Sequence, residues 1–235
     1  TINLTDPLTA ARSVVTDLMM TNEISAEQLA DVEFKTMGSM AGGTDRTLSL
    51  LGAVHPSTDL IKMYVVKTTS AQNPEWGKTE IDRSVNAARL ELGPKIHYFD
   101  YAQMTIIEDY CDGSIRNRWP QLTDAEKRIA AVRMAEKLFK MFDMDQKKRV
   151  AHKFDNIPEH TRISGNGESI DVLWIDWGME QSVNVNQRGY YLSGHIHTLI
   201  SLLNEPLPIA YFIHRLRELA AARSPDEAHL YTKAI

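Results

Sequence analysis

The chain has 235 residues, 43% of them hydrophobic and 24% charged, with a net charge of -5. This is the balance of a soluble globular protein with enough apolar side chains for a sizeable core, and it lacks the basic footprint of a protein held to nucleic acid through phosphates. The single cysteine, Cys111, leaves no internal disulfide, no run reaches the roughly 18 apolar residues of a membrane span, and the stretch around Asp6 lacks the basic start of a secretion signal, so a cytoplasmic location with no membrane or nucleic-acid partner is the expectation.

Asp6 and Pro7 supply an N-cap acid and a proline at the first helical position, and helical periodicity then runs to Met20. Ser25 and Gln28 have the spacing of a capping box for a second, short helix. Residues 1–31 thus read as an N-terminal helical extension. From Val32 the texture changes. Phe34 to Leu51 reads as strand, glycine-rich turn at Gly42 and Gly43, and strand; Leu60 to Thr68 reads as a third strand with Lys67 near its end. A glycine turn lets backbone N–H groups approach a phosphate closely, although a plain hairpin has the same pattern. A helix is predicted from Lys78 to Leu92, closed by Gly93 and Pro94, with Ile81, Val85, Ala88 and Leu92 as its apolar stripe. Glu80 lies one position off that stripe, where it could meet Lys67 or simply favour the helix dipole from an exposed first turn; Asp82 is the fallback partner.

Two further runs follow, Leu92 to Phe99 and Gln103 to Gly113, the second ending in Glu108, Asp109, Tyr110, Cys111, Asp112 and Gly113. Thr123 and Glu126 form another capping box, opening a helix to about residue 143 with Ile129, Val132, Ala135, Leu138, Phe139 and Phe142 inward. Asp145 to Arg149 reads as a charged link. A loop follows with His152, Asp155, Pro158 and His160, then a turn at Gly165, Asn166 and Gly167, and a buried strand from Val172 to Ile175 that ends at Asp176, Trp177 and Gly178. Two aspartates therefore reach the same end of one hairpin-like unit. One such acid can take a proton from a hydroxyl while the other holds a divalent metal on a phosphate. A buried helix from Gly189 and a last amphipathic helix over Pro208 to Ala222 complete the chain. His195 and His197 are two apart and share no helical face, so they are not a metal pair.

The order of these landmarks resembles the kinase-like superfamily, which includes choline kinases and aminoglycoside phosphotransferases. Asp155 with Pro158 resembles the catalytic loop, and Ile175-Asp176-Trp177-Gly178 the metal-binding loop. Leu92-Gly93-Pro94-Lys95 resembles the entry to the fourth strand, and Glu108 to Gly113 the adenine-pairing hinge. The resemblance spans residues 32 to about 200 and implies an α+β, two-lobed protein-kinase-like fold: a five-stranded antiparallel small lobe with one helix over residues 32–112, and a reduced, mostly helical large lobe over residues 113–235. It further implies ATP and magnesium as cofactors, with Gly42, Gly43, Lys67, Glu108 and Tyr110 on the nucleotide. Lys67 would be paired to Glu80, Asp155 would serve the acceptor hydroxyl, and Asp176 and His160 would hold the metal.

Two departures from the family pattern stand out: His152 is one residue too far from Asp155, and His160 replaces the metal-binding asparagine. Two functions follow as expectations. One is a phosphotransferase acting on a hydroxyl of a small molecule or a protein. The other is a pseudokinase that binds a nucleotide or a protein partner and catalyses nothing. An unrelated metal hydrolase would need a histidine cluster that the sequence lacks.

Overall fold

The computed structural model describes residues 7–21, 24–25, 27–40, 46–56, 59–69, 74–148, 150–152, 158–177, 180–182 and 188–223. The chain is α+β and divides into two compact units: a sheet unit of Thr1–Arg89 with Pro94–Tyr110, and a helical unit of Leu90–Gly93 with Cys111–Ile235. The residues read as a separate N-terminal extension belong to the sheet unit.

In the sheet unit, α1 (Pro7–Met20) precedes β1 (Glu33–Met40), β2 (Arg46–His55), β3 (Asp59–Thr69), α2 (Pro74–Arg89), β4 (Ile96–Asp100) and β5 (Thr105–Asp109). The five strands form one sheet in the order β1-β2-β3-β5-β4, antiparallel at each described pairing. Alternation of side chains along the strands gives it two distinct faces. One face, with Leu51, Ala53, Tyr64, Val66 and Ile107, buries Ala10, Val14 and Leu18 of α1, which recur every fourth residue along a single helical stripe. Val65, Lys67, Ile106 and Glu108 have the opposite parity and belong to the other face. Between α1 and β1, Ser25 and Gln28 close their capping box around a single 3-10 turn: the Ser25 N–H donates to Gln28 Oε1 at 3.0 Å, and the Gln28 N–H to Ser25 Oγ at 3.3 Å.

Helix α2 differs from its sequence reading at both ends. It begins at Pro74 and stops at Arg89, and Glu91 takes a left-handed φ of 58°. The cause is a competing bond. The Leu92 carbonyl accepts the Trp174 N–H at 2.9 Å, which draws residues 90–93 out of the helix and into the helical unit. The buried residues are Gly77, Glu80, Ile81, Arg83, Ser84 and Ala87, a face that shares Ile81 with the predicted one but is turned from it beyond that point, so Glu80 is buried and not an exposed first-turn acid.

The helical unit is built on α4 (Asp124–Lys148), entered through the short α3 (Ile115–Arg118). Thr123 and Glu126 make the expected box at its start, with the Thr123 N–H to Glu126 Oε2 at 2.9 Å and the Glu126 N–H to Thr123 Oγ1 at 3.3 Å. The helix continues through Lys148, because the Asp145–Lys148 run read as a link contains no breaker, and glutamine and lysine are good helix formers. Met134, Ala135, Leu138, Phe139, Met141 and Phe142 are buried, whereas Ile129 and Val132 line a surface hollow of about 560 Å³.

After α4 come β6 (Val150–His152), β7 (Thr161–Ser164), β8 (Asp171–Trp174), β9 (Glu180–Ser182), α5 (Arg188–Leu203) and α6 (Pro206–Ala221). β7 and β8 form a hairpin, and β6 pairs with β9. Helix α6 lies on α4 through Phe212, Leu216 and Ala220, with Arg215 held 2.8 Å from Glu136. No helix among the described residues is long and apolar enough to cross a membrane.

The sheet unit is closed by a buried carboxylate. Asp17 on α1 is 2% exposed and meets Lys62 Nζ and Lys95 Nζ, each at 2.6 Å, and the Tyr64 hydroxyl at 3.2 Å. Burial alone would raise its carboxyl, but hydrogen bonds from Lys62 and Lys95 and attraction to His97 outweigh burial and bring it from the ordinary 3.8 down to about 2. A depressed carboxylate stabilises the fold fully above its unfolded value and loses that contribution as pH falls through the folded one. Thermal unfolding followed by circular dichroism should therefore show a melting temperature that declines as pH is lowered from about 4 toward 2. Asp17→Asn should cost on the order of 3 kcal/mol at neutral pH, because Lys95 loses its counter-charge and Lys62 is left with Asp109 alone. It should also flatten that acid decline; an unchanged decline would show that other carboxylates govern it.

Candidate functional site

Of the residues expected at a nucleotide, Lys67 and Glu108 lie together on the β3–β5 ladder, but the pairing of Lys67 differs from expectation. Lys67 stands on β3 opposite Leu48 of β2 and Ile106 of β5. Its ammonium lies 2.6 Å from Glu108 Oε1, and both side chains are nearly buried, at 12% and 4% exposure. Glu80 instead meets Arg46 Nε at 3.1 Å and accepts the Thr69 hydroxyl at 3.3 Å. The Arg46 guanidinium also lies over the Trp76 ring, 5.0 Å from its centroid. Among the described residues the ion pairs are thus Lys67–Glu108 and Arg46–Glu80, where Lys67–Glu80 was expected. The physical reason is register: Val65 of β3 is paired with Glu108, so Glu108 lies one diagonal step from Lys67 on the same face. The fallback acid, Asp82, accepts the Tyr101 hydroxyl at 2.5 Å on the surface.

The run expected to hold adenine is also engaged within the sheet unit. The Asp109 N–H donates to the Lys95 carbonyl at 3.0 Å, and the Tyr110 N–H to the Met63 carbonyl at 3.3 Å. These two amides are committed to extending the sheet, which changes what Glu108 and Tyr110 can offer a base. Gly42 and Gly43 lie outside the described residues.

A second cluster in this unit has the ligand types of a metal site. Atoms of Asp17, His97 and Asp109 lie within 4.8 Å of one another. Lys62 and Lys95 already supply the positive charge there, since Lys62 reaches Asp17 at 2.6 Å and Asp109 at 3.1 Å, and His97 Nε2 lies 2.8 Å from Asp109. Burial raises the Asp109 carboxyl, but the His97 bond and the Lys62 charge outweigh it, so Asp109 is held below the ordinary carboxylate range. A cation would have to displace two ammonium groups. The cluster holds α1 to the sheet.

In the helical unit, the β7–β8 hairpin places His160 and Asp176 side by side. Thr161, Ile163, Val172 and Trp174 are buried to 1% exposure or less and fix the hairpin in the core. Gly165, at φ 75°, makes the turn, where a side chain would run into the Ser169 carbonyl. At the open end the Ile175 N–H donates to the His160 carbonyl at 2.9 Å. Asp176 follows with a left-handed φ of 59°, a conformation that aspartate tolerates better than most residues. Trp177 anchors the far side, buried to 3% exposure, with its indole N–H donated to the Trp174 carbonyl at 3.1 Å. The outcome is His160 Nε2 at 3.7 Å from Asp176 Oδ2, both partly accessible.

Asp155 lies outside the described residues, but its flanks do not. β6 and β9 pair antiparallel with His152 opposite Glu180, so the backbone three residues before Asp155 runs beside the backbone four residues after Asp176. The sequence reading named no such ladder, because three-residue strands leave no periodic signal.

Arg162 was missed as well. Its position on β7 puts it on the side away from buried Thr161 and Ile163, and its Nε is buried with no hydrogen-bond partner among the described residues. An arginine between two buried apolar-facing positions, two residues after His160, was the available signal.

Comparison of the chain with protein-family models and with curated proteins finds no match.

Proposed function

We propose that the chain is an ATP-dependent phosphotransferase of the kinase-like type, acting on a hydroxyl of a small molecule or a protein. The observation that carries this reading is the end of the β7–β8 hairpin: an acid held in a left-handed turn beside His160, in a stretch of sequence that begins at β6 and ends at its partner β9. The sheet unit supports it through the order of three strands, a helix and two strands, with Lys67 and a buried acid on one face.

The roles follow from chemistry. Asp155 would accept the proton of the acceptor hydroxyl. Lys67 would hold phosphate oxygens, exchanging part of its attraction to Glu108 for the larger charge of a triphosphate. Asp176 offers the hard oxygen that magnesium takes, whereas the His160 imidazole is a poor magnesium ligand, so the donor set fits that ion only in part. A bound divalent ion would neutralise phosphate charge.

The pairing in the sheet unit favours a second reading, a nucleotide- or protein-binding pseudokinase. Lys67 is already neutralised by Glu108 and Glu80 by Arg46, a resting arrangement that does not require a ligand.

One series of measurements separates the two. With ATP and a divalent ion, the melting temperature should rise, by the equivalent of about 2.7 kcal/mol at a hundredfold excess over Kd. Lys67→Met should reduce that shift, while Glu80→Gln should leave it mostly intact, because Glu80 serves Arg46 and Thr69. Absence of any shift at millimolar ATP would sink the phosphotransferase and the nucleotide-binding form of the second reading.

Turnover decides the rest. ADP release should be detectable in the wild type and fall by about 10²- to 10⁴-fold in Asp155→Asn, with ATP binding retained. Binding without ADP release in the wild type would establish the pseudokinase.

A further inference from the structure

The donor set at the hairpin end disagrees with the ion that a kinase-like reading implies. We infer that the His160–Asp176 pair selects a first-row transition-metal dication, such as Mn2+ or Zn2+, over Mg2+. The inference rests on the proposed reading only in taking this pair as the metal site; it adds which metal the site takes.

Chemistry supplies the first argument. One of the two groups is an imidazole nitrogen, which suits transition metals, while magnesium holds to oxygen and gives up its water reluctantly. The other is a carboxylate, which both kinds of ion accept. Exchanging an amide oxygen for an imidazole nitrogen therefore lowers affinity for magnesium and raises it for the softer ions.

Geometry supplies the second argument. The two ligand atoms are 3.7 Å apart. With both bonds near ~2.1 Å, that span corresponds to an angle of about 120° at the ion, which a four- or five-coordinate zinc-type site tolerates. Near-ideal octahedral magnesium would want neighbouring ligands at about 90°, or roughly 3.0 Å apart. Zinc can be shared by the pair without movement, whereas six-coordinate magnesium or manganese would need the pair to close, so manganese is favoured over magnesium by the imidazole donor alone.

The local structure holds the span open. The His160 backbone is tied to Ile175, and Asp176 sits between Trp174, at 0% exposure, and Trp177, at 3%. The backbone that carries the two ligands is thereby fixed, which narrows the range of spans their side chains can reach. Arg162 gives an independent sign of a ligand on this side of the hairpin. Its buried Nε lacks a hydrogen-bond partner among the described residues, and leaving a guanidinium nitrogen dry and unpaired is costly.

The experiment is a calorimetric titration of the full chain with each metal alone, MnCl2, ZnCl2 and MgCl2, in the absence of nucleotide, with bound Mn2+ also followed by electron paramagnetic resonance. Wild type should bind Mn2+ and Zn2+ at least about tenfold more tightly than Mg2+. Asp176→Asn should weaken all three. His160→Asn should cut Mn2+ and Zn2+ affinity by about tenfold or more and leave Mg2+ unchanged or improved, while its melting temperature without metal stays at the wild-type value. If His160→Asn melts early, His160→Gln, which also supplies an amide, is titrated in its place. Magnesium binding as tight as manganese in the wild type overturns the inference, as does a preference that survives both amide variants, or no binding of any of the three. Because nucleotide is left out, a transition-metal preference with no response to ATP would retain the metal site and remove the phosphotransferase, and Mg2+-only support of ATP binding would do the reverse.

Discussion

Asp17 is the point on which the sheet unit closes. One carboxylate on the first helix gathers Lys62 and Tyr64 from the third strand, Lys95 from the approach to the fourth, and, through His97 and Asp109, the fourth and fifth strands themselves. A charge buried this deeply is tolerable only when its partners are complete, because desolvation costs several kcal/mol per ion before any attraction is counted. The apolar stripe of Ala10, Val14 and Leu18 could slide by a turn against a flat sheet with little penalty; Asp17 cannot. The hydrophobic contact supplies the stabilisation, and the ion network supplies the register.

The same division recurs on the opposite side of the sheet. Lys67 with Glu108 and Arg46 with Glu80 are two nearly buried pairs, each joining elements far apart in sequence. Replacing either by apolar residues need not lower stability. What they fix is which strand and which helix turn stand opposite each other, and they keep charge on a face that would otherwise be simply greasy. A lysine so placed is held in a defined rotamer before any ligand arrives, which reduces the entropy lost when a ligand does bind.

The first three strands and the helix after them were legible because strand-like runs, glycine turns and helix-ending residues are local signals, whereas the fourth and fifth strands were read only through the family resemblance. Ser25 with Gln28 and Thr123 with Glu126 behaved as their spacing dictated. The errors have a common origin in contacts distant in sequence. Helix α2 was read three residues too long because its apolar pattern runs on through Leu92, and only the bond from Trp174 stops it. Glu80 was read beside Lys67 because helix phase is uncertain by a residue, while the acid that does meet Lys67 lies forty-one positions along the chain, on a neighbouring strand. Buried Met134 and Met141 on α4 were passed over in favour of Ile129 and Val132, whose residue types promised more burial than their positions deliver. At the candidate site, His160 and Asp176 were both legible and are adjacent, whereas Arg162 was passed over, although its place between Thr161 and Ile163 was the available signal.

The four residues Leu90–Gly93 bear on how the protein can be divided. They lie within the stretch of sequence that builds the sheet, yet they belong to the helical unit, so the chain passes from one unit to the other three times. A gene fragment beginning at Cys111 would lack them, and its Trp174 amide, on a strand whose side chains are in the core, would have no Leu92 carbonyl to receive it. During synthesis from the N-terminus, that short strap emerges well before the hairpin it must join. The helical unit therefore cannot complete its own hydrogen bonding from a contiguous piece of chain. The two units are separable by contact but not by scissors, and swapping either one between related chains would have to carry the strap along.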